Sequence, residues 1–133
     1  MWDNGRLLEY TVSMIRVFTS KTQAVGERGE DEAVKYLKKQ GFSIVERNVA
    51  NKFGEIDIVA KKKGIVHFFE VKAGYTGGWI NPADNLTRAK LRKFLVSAEH
   101  YTLCNRIGDY RVQALLVLFG QNGEVSVESI DLF

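Results

Sequence analysis

Two neighbouring segments of the chain carry acidic and basic side chains at a spacing that suits chemistry. The first segment contains Asp57, and the second contains Glu70 and Lys72. If residues 63–64 form a two-residue turn, Asp57 lies directly opposite Glu70 on a hairpin, where Cβ atoms are about 4.5–5.5 Å apart. Two like charges at that distance destabilise a sheet unless a positive group lies between them. The hairpin is therefore a candidate cation site.

A third carboxylate, Glu30, is predicted to lie on the packed side of a helix. It precedes Ala33, Val34 and Leu37 by three, four and seven residues, which places it on their apolar stripe. A carboxylate on a packed face is unfavourable unless it is paired or bound to a metal. We therefore expect Glu30 to meet a cation.

These carboxylates and the lysine suit a hard divalent cation, Mg²⁺ or Mn²⁺. Mg²⁺ takes oxygen ligands and typically binds through one or two carboxylates together with water and substrate phosphate. Lys72 would orient or help deprotonate an attacking water and offset charge at a scissile phosphate. The candidate metal ligands are Asp57, Glu70 and Glu30, and the candidate catalytic residues are these three and Lys72. The alternative is structural, because Glu55 lies opposite Lys72 in the same register and would form an ordinary cross-strand ion pair with it.

The surrounding pattern predicts an α/β fold with the order α-β-β-β-α-β-β, in which three strands form an antiparallel meander and helices flank the sheet. Gly41 ends the first helix, and Asn81-Pro82 begins the second. The predicted elements are a helix over 26–40, strands over 42–50, 55–60 and 65–72, a mobile glycine-rich loop over 73–81, a helix from 82 to about 104, a strand over 111–119 and a last strand around Val125 and Val127.

One face of the meander is expected to pack on the core while the other carries the charges. Side chains alternate along a strand, so Glu70 and Lys72 share a face with Asp57. The residues predicted to point the other way, into the core, are Ile56, Ile58, Phe69 and Val71.

Positive charge is concentrated in the middle of the chain. The net charge is +3, and residues 51–93 hold nine Lys or Arg against four Asp or Glu. A local basic field favours a polyanion such as nucleic acid, although solvated surface lysines produce the same pattern. Trp79 and Tyr75 in the glycine-rich loop would stack on an unpaired base or anchor the loop. The candidate phosphate-binding residues are Lys61, Lys62, Lys63, Arg88, Lys90, Arg92 and Lys93.

Length and cysteine content set the broad class. A chain of 133 residues amounts to one domain, and its single cysteine excludes an intramolecular disulfide and favours a reducing cytoplasm. The longest uninterrupted apolar run, residues 114–119, is far shorter than the roughly 20 residues of a membrane-spanning helix, so no membrane partner is expected. Residues 1–23 are predicted to form an N-terminal helical extension that packs on the main domain, residues 24–133, or on a partner chain.

Four short motifs follow one another along the chain. They are Gly26-Glu27-Arg28-Gly29-Glu30 before Ala33 and Tyr36-Leu37, then Arg47-Asn48, then Gly54-Glu55-Ile56-Asp57-Ile58-Val59-Ala60, and then Phe69-Glu70-Val71-Lys72. Together they resemble the YraN family of predicted bacterial endonucleases over about residues 24–119. The resemblance implies the restriction-endonuclease-like fold, PD-(D/E)XK, in which an Asp, a Glu and a Lys bind Mg²⁺ and cut phosphodiester bonds. The chain is more distantly similar to archaeal Holliday junction resolvases, which share that fold and a similar helix Glu.

By position, the resemblance implies that Asp57 and Glu70 are metal ligands, with the Val71 carbonyl as a further ligand. It implies that Lys72 is the catalytic lysine and that Glu30 is a ligand or a water-mediated neighbour. Residues 24–133 would then be a nuclease-like domain.

The second helix and the fourth strand carry the other family positions. Lys90 falls where the family has a basic residue on its second helix. Two positions depart from the family pattern, because Gly74 replaces a basic residue and residues 111–113 read Arg-Val-Gln where the family has Arg-Phe-Asp. A homodimer is one assembly that the resemblance implies, since nucleases of this fold often need two active sites to cut two strands.

The expected function is a Mg²⁺- or Mn²⁺-dependent endonuclease that hydrolyses phosphodiester bonds in nucleic acid, with DNA favoured over RNA. Contacts to phosphates position a substrate without reading its sequence, so we expect selection by shape, for branched, forked or partly single-stranded DNA. The first alternative is a non-catalytic nucleic-acid-binding protein on the same fold. The second is an interaction module that assembles through residues 1–22.

Overall fold

The computed structural model of the protein describes residues 23–76 and 88–132. In these ranges the mixed α/β order α-β-β-β-α-β-β is confirmed. The elements are helix α1 (Gln23–Lys39), strands β1 (Ser43–Asn51), β2 (Gly54–Lys62) and β3 (Ile65–Tyr75), helix α2 (Arg88–Cys104), and strands β4 (Tyr110–Phe119) and β5 (Val125–Asp131). Residues 1–22 of the predicted extension over residues 1–23, the predicted start of the second helix at residues 81–82, and Trp79 lie outside the described residues.

The described strands form a five-stranded sheet in the order β1-β2-β3-β4-β5. The first three form the predicted antiparallel meander, β4 runs parallel to β3 after the α2 crossover, and β5 returns antiparallel to β4. Lys63 and Gly64 have φ values of 50° and 80°, which suit a two-residue hairpin turn. The predicted register between β2 and β3 is confirmed from this turn as far as the pair Ile58 and Phe69.

Both faces of the sheet are covered, so the expectation that one face of the meander is left to charged residues is wrong. Helix α1 packs on one face through a cluster that includes Leu37 and Phe69. Helix α2 packs on the other face through a cluster that includes Phe94 and Phe68. The parallel step from β3 to β4 places a crossover helix on the second face, which buries it as well.

The alternation of side chains between the two faces is interrupted at Asp57. Ile58 lies in the cluster beneath α1, whereas Ile56 lies in the cluster beneath α2. The neighbouring position on β1 is Asn48, whose flanking residues pair with Ile58 and Ile56. Asn48 has a φ of 52°, in the left-handed region. The backbone irregularity of β1 and the change of face in β2 therefore lie side by side.

Helix α1 is fixed at its end and in its middle by glycines. At its end, Gly41 has a φ of 91°, and the Phe42 N–H donates to the Leu37 carbonyl at 2.9 Å, which is the capping bond of a Schellman motif. In its middle, Gly29 lies so close to Ala73 of β3 that a Cβ at Gly29 would fall inside van der Waals distance of the Ala73 Cβ. The absence of a side chain at Gly29 therefore sets how close α1 sits to the sheet.

Strand β3 is longer than predicted. Residues 73–75 were expected in the glycine-rich loop, but they continue the strand and pair with residues 117–119 of β4. Ala73 and Gly74 are buried, because β4 offers a continuous parallel partner that the glycine content did not reveal. None of the described helices is long and apolar enough to cross a membrane.

Candidate active site

Strands β2 and β3 part at the predicted site. Their pairing stops at Ile58 and Phe69, while β3 continues to pair with β4. Asp57 and Glu70 come next on the two diverging strands. Oδ2 of Asp57 accepts a hydrogen bond from the Val71 N–H at 2.7 Å, where a regular sheet would supply a backbone carbonyl. The carboxylate of Asp57 therefore bridges the fork between the strands.

A cavity of about 300 Å³ opens at this fork. Its charged lining combines three carboxylates from β2 and β3 with one lysine from β3 and two from the start of α2. Negative groups on the strands beside positive groups on the helix can receive a cation and a phosphate together. The lining residues are Gly54, Glu55, Asp57, Glu70, Lys72, Lys90, Lys93 and Phe94.

Glu70 and Lys72 form an ion pair within the fork. Lys72 Nζ lies 3.3 Å from Glu70 Oε1, and each side chain is 18% exposed. Residues two apart on a strand point to the same side, which allows this contact. The cross-strand ion pair between Glu55 and Lys72 that the structural alternative required does not form in the described region, because the strands have parted before that position.

Helix α2 is held against the start of β2 by small and polar residues. Gly54 has a φ of 153°, and a Cβ there would lie 2.9 Å from Ser97 Oγ. The Asn51 side-chain amide donates to the Ser97 carbonyl at 3.2 Å. These contacts bring Lys93 into the cavity that Asp57 lines. Residues 51–54 fall between two predicted strands, so the sequence did not reveal this positioning role; the glycine at the start of β2 was the available signal.

Glu30 meets a cation, as predicted, but that cation is a side chain. Arg47 NH2 lies 3.7 Å from Glu30 Oε2 and 3.0 Å from Asp31 Oδ1, and the Glu30 side chain is 19% exposed. With its amide nitrogen facing Glu30, Asn48 donates to both carboxylate oxygens at 3.2 Å. Glu30 is not among the residues that line the fork cavity. Asn48 lies next to Asp57 in the sheet, so Glu30 is connected to the site through β1.

The predicted phosphate-binding residues lie in two places. Arg88, Lys90, Arg92 and Lys93 are exposed on the first turns of α2, where two of them line the cavity. Residues 61–63 lie at the opposite end of β2, roughly 13–20 Å from Asp57 at the rise of an extended strand. One of these, Lys62, places its Nζ 5.1 Å from the centre of the Phe42 ring.

The donor set at the fork can be compared with the needs of Mg²⁺ or Mn²⁺. Within residues 23–76 and 88–132, no group of three or more His, Cys, Asp or Glu side chains is arranged to hold a metal ion. Mg²⁺ requires fewer protein ligands, because it keeps several waters and uses one or two carboxylates. Asp57 and Glu70 supply two carboxylates in one solvent-accessible cavity. Their chemistry fits a hydrated Mg²⁺ or Mn²⁺ ion.

The model of the uncharacterised protein family UPF0102 matches residues 29–117. The chain belongs to the UPF0102 family. A UPF0102 protein of Campylobacter jejuni is 47% identical over 93 residues, which cover 69% of this chain and 81% of the relative. A UPF0102 protein of Helicobacter pylori strain HPAG1 is 40% identical over 108 residues, which cover 80% of this chain and 92% of the relative.

UPF0102 is the YraN-like group, so the resemblance predicted from the motifs is confirmed at the level of the family. The matched UPF0102 region contains Glu30, Asp57, Glu70 and Lys72, together with all of α2. The family description names no activity.

Proposed function

We propose that this protein is a Mg²⁺- or Mn²⁺-dependent endonuclease that hydrolyses phosphodiester bonds in DNA. The observation that carries the proposal is the fork between β2 and β3. There Asp57 and Glu70 stand on diverging strands beside Lys72, in one cavity with Lys90 and Lys93. Such a cavity joins the oxygen ligands that Mg²⁺ prefers to the positive charges that a phosphodiester needs.

Each side chain at the fork between β2 and β3 has a separate role in this proposal. Asp57 and Glu70 would hold the metal ion, which supplies charge stabilisation at the scissile phosphate when it is bound. Asp57 is oriented by the Val71 N–H. Lys72, now 3.3 Å from Glu70, would orient the attacking water and offset negative charge that develops on the phosphate.

The substrate is proposed to be DNA with branches, forks or single-stranded segments. Lys90 and Lys93 line the cavity and would contact phosphates near the cut, and such contacts carry no base sequence information. Selection would therefore depend on the shape and flexibility of the DNA. A homodimer of this chain would place two such sites on the two strands of one substrate.

The second candidate function is nucleic-acid binding without catalysis. It is favoured by the ion pairs of the site carboxylates, since Lys72 contacts Glu70 and Arg47 contacts Glu30. In that case the carboxylates would be structural, and the basic face of α2 would bind phosphates alone. The two candidates make opposite predictions for cleavage.

Cleavage of a panel of labelled substrates tests the proposal. The panel contains duplex, flap, fork, four-way-junction and single-stranded DNA as well as RNA, each incubated with Mg²⁺, Mn²⁺ or EDTA. We expect cutting of DNA with branched or single-stranded character in Mg²⁺ or Mn²⁺, no cutting in EDTA, and none by Glu70→Ala. Binding of these substrates with no cutting under any condition would refute the nuclease and favour the second candidate. Cutting that persists in Glu70→Ala would show that the cleavage does not come from this site, and a contaminant would then be its source.

A further inference from the structure

A second cavity, of about 420 Å³, lies beside the fork and contains an exposed aromatic ring. The ring belongs to Phe53, in the turn between β1 and β2, and it is 38% exposed. Among the phenylalanines that the structure describes, Phe53 is the most exposed, whereas the others are buried or half-buried. The cavity is lined by Lys52, Phe53, Ala89, Arg92, Lys93 and Val96.

The Phe53 ring is held in place before any ligand arrives. The Phe53 N–H donates to the Asn51 side-chain oxygen at 2.9 Å, while the Asn51 amide nitrogen donates to the Ser97 carbonyl of α2 at 3.2 Å. The His100 ring meets Phe53 edge-on with a centroid distance of 5.2 Å. A turn fixed to a helix in this way presents its ring with little loss of conformational entropy on binding.

The charges around the ring are all positive. The described lining contains Lys52, Arg92 and Lys93 and no acidic residue. Lys52 Nζ lies 5.1 Å from the centre of the Phe53 ring, at the end of a flexible and exposed side chain that can move to a phosphate. An aromatic wall bordered by cations matches the chemistry of a nucleotide, which offers a flat base and an anionic phosphate. An apolar peptide would leave these cations without partners.

The two cavities are neighbours, because Lys93 lines both. We infer that the Phe53 cavity binds an unpaired base of a DNA strand whose phosphates reach the fork, with the base stacked on Phe53. The inference rests on the proposed function for the cut itself, and it names the substrate class: DNA with at least one unpaired nucleotide beside the scissile phosphate. Duplex DNA keeps its bases stacked inside the helix and offers none to this ring.

Fluorescence anisotropy with labelled single-stranded DNA in EDTA tests this inference. Stacking of one base on an aromatic ring is large enough that Phe53→Leu, which keeps an apolar side chain, should weaken binding on the order of tenfold. Phe53→Trp should bind at least as tightly as the wild type. Val45→Ala is the matched control, because Val45 is an exposed apolar residue, 50% exposed, on the edge strand β1 outside this cavity. It should leave the affinity unchanged.

A second readout separates stacking from a general loss of affinity. Single-stranded DNA that contains 2-aminopurine should lose fluorescence on binding to the wild type and to Phe53→Trp, and keep it with Phe53→Leu. An affinity of Phe53→Leu within twofold of the wild type, or an equal loss of affinity for blunt duplex DNA, would overturn the inference.

The failure of this inference is distinguishable from the failure of the proposed function, because binding is measured without metal. Cleavage by the wild type in Mg²⁺ or Mn²⁺ together with unchanged binding by Phe53→Leu overturns the base site and leaves the nuclease standing. Weakened binding by Phe53→Leu in a protein that cuts nothing supports the base site and refutes the nuclease.

Discussion

Two substitutions of Asp57 distinguish the structural role of its carboxylate from its proposed role as a metal ligand. Asp57 Oδ2 accepts from the N–H of Val71, a residue only 1% exposed. Asp57→Ala leaves this N–H without its acceptor, and an unpaired buried polar group costs about 1–3 kcal/mol. Asp57→Asn keeps a side-chain oxygen for the same hydrogen bond. Without metal, we therefore expect Asp57→Ala to be less stable than the wild type by about 2 kcal/mol, and Asp57→Asn to lie between them.

Metal should widen the difference in stability between the wild type and both variants. A ligand that binds only the native state at ten times its Kd stabilises it by about 1.4 kcal/mol. For a chain of this length that corresponds to a rise of about 5 °C in the melting temperature. The wild type should show this rise with Mn²⁺ relative to EDTA, whereas most of it should vanish in both variants, because each lacks the charged oxygen. Thermal unfolding followed by circular dichroism measures both effects.

Two results would refute this reasoning at different steps. An equal Mn²⁺-dependent rise in the wild type and in Asp57→Asn would remove Asp57 from the metal ligands, and no rise in the wild type would remove the metal site. Equal stability of Asp57→Ala and the wild type in EDTA would show that the bond to Val71 contributes nothing.

The remaining predictions concern the packing of α1 and the link between α2 and β1. Gly29→Ala gains about 1 kcal/mol of helix propensity but places a Cβ against the immobile Cβ of Ala73, at an overpacking cost of about 1–3 kcal/mol. Urea denaturation should show that Gly29→Ala is less stable than the wild type, and that adding Ala73→Gly restores part of the lost stability. A Gly29→Ala variant as stable as the wild type would contradict the close approach of α1 to β3. Burial first, and then the hydrogen bond and negative charge of Glu46, raise the pKa of Tyr101 to about 12 from 10.0. Stability from this raised pKa is complete below about pH 10 and is lost as pH rises towards 12. In an ultraviolet titration, one tyrosine should therefore ionise at a higher pH than the others, and Glu46→Gln should lower the pH at which it ionises. An unchanged titration in Glu46→Gln would contradict the contact between Glu46 and Tyr101.

The fold was predictable where short-range rules decide it. A two-residue turn at Lys63 and Gly64 fixes the register of the central hairpin, and both residues have the positive φ that such a turn needs. Gly41 ends α1 in the left-handed conformation expected of a residue just past a helix. These features depend on neighbours within a few residues, which the sequence displays directly.

The parting of the strands was not predictable, because it depends on packing between distant segments. Pairing beyond Ile58 stops where the Asp57 side chain takes the Val71 N–H, and α2 approaches the start of β2 only because Gly54 has no side chain to meet Ser97. The alternation of apolar and charged residues along the hairpin predicts neither contact. The sequence predicted carboxylates facing each other, and the tertiary fold opened a cavity between their strands.

The sequence predicted that Glu30 contacts a cation, but it did not predict which cation. Its place on the apolar stripe required a cation, and a metal and a basic side chain met that requirement equally well. Arg47 follows Glu30 by 17 positions in the chain and lies on β1. Its contact depends on how α1 crosses the sheet, and that crossing is set by Gly29 and Ala73.

The rate of cleavage of a labelled DNA fork by the wild type and by Glu70→Gln, with binding measured on the same preparations in EDTA, tests the nuclease proposal most directly. We expect the wild type to cut the fork in Mg²⁺ or Mn²⁺, and Glu70→Gln to cut it on the order of 100-fold more slowly while binding it as tightly. A wild type that binds the fork and never cuts it, or a Glu70→Gln variant that cuts at the wild-type rate, would contradict the assignment of the fork between β2 and β3 as a nuclease site.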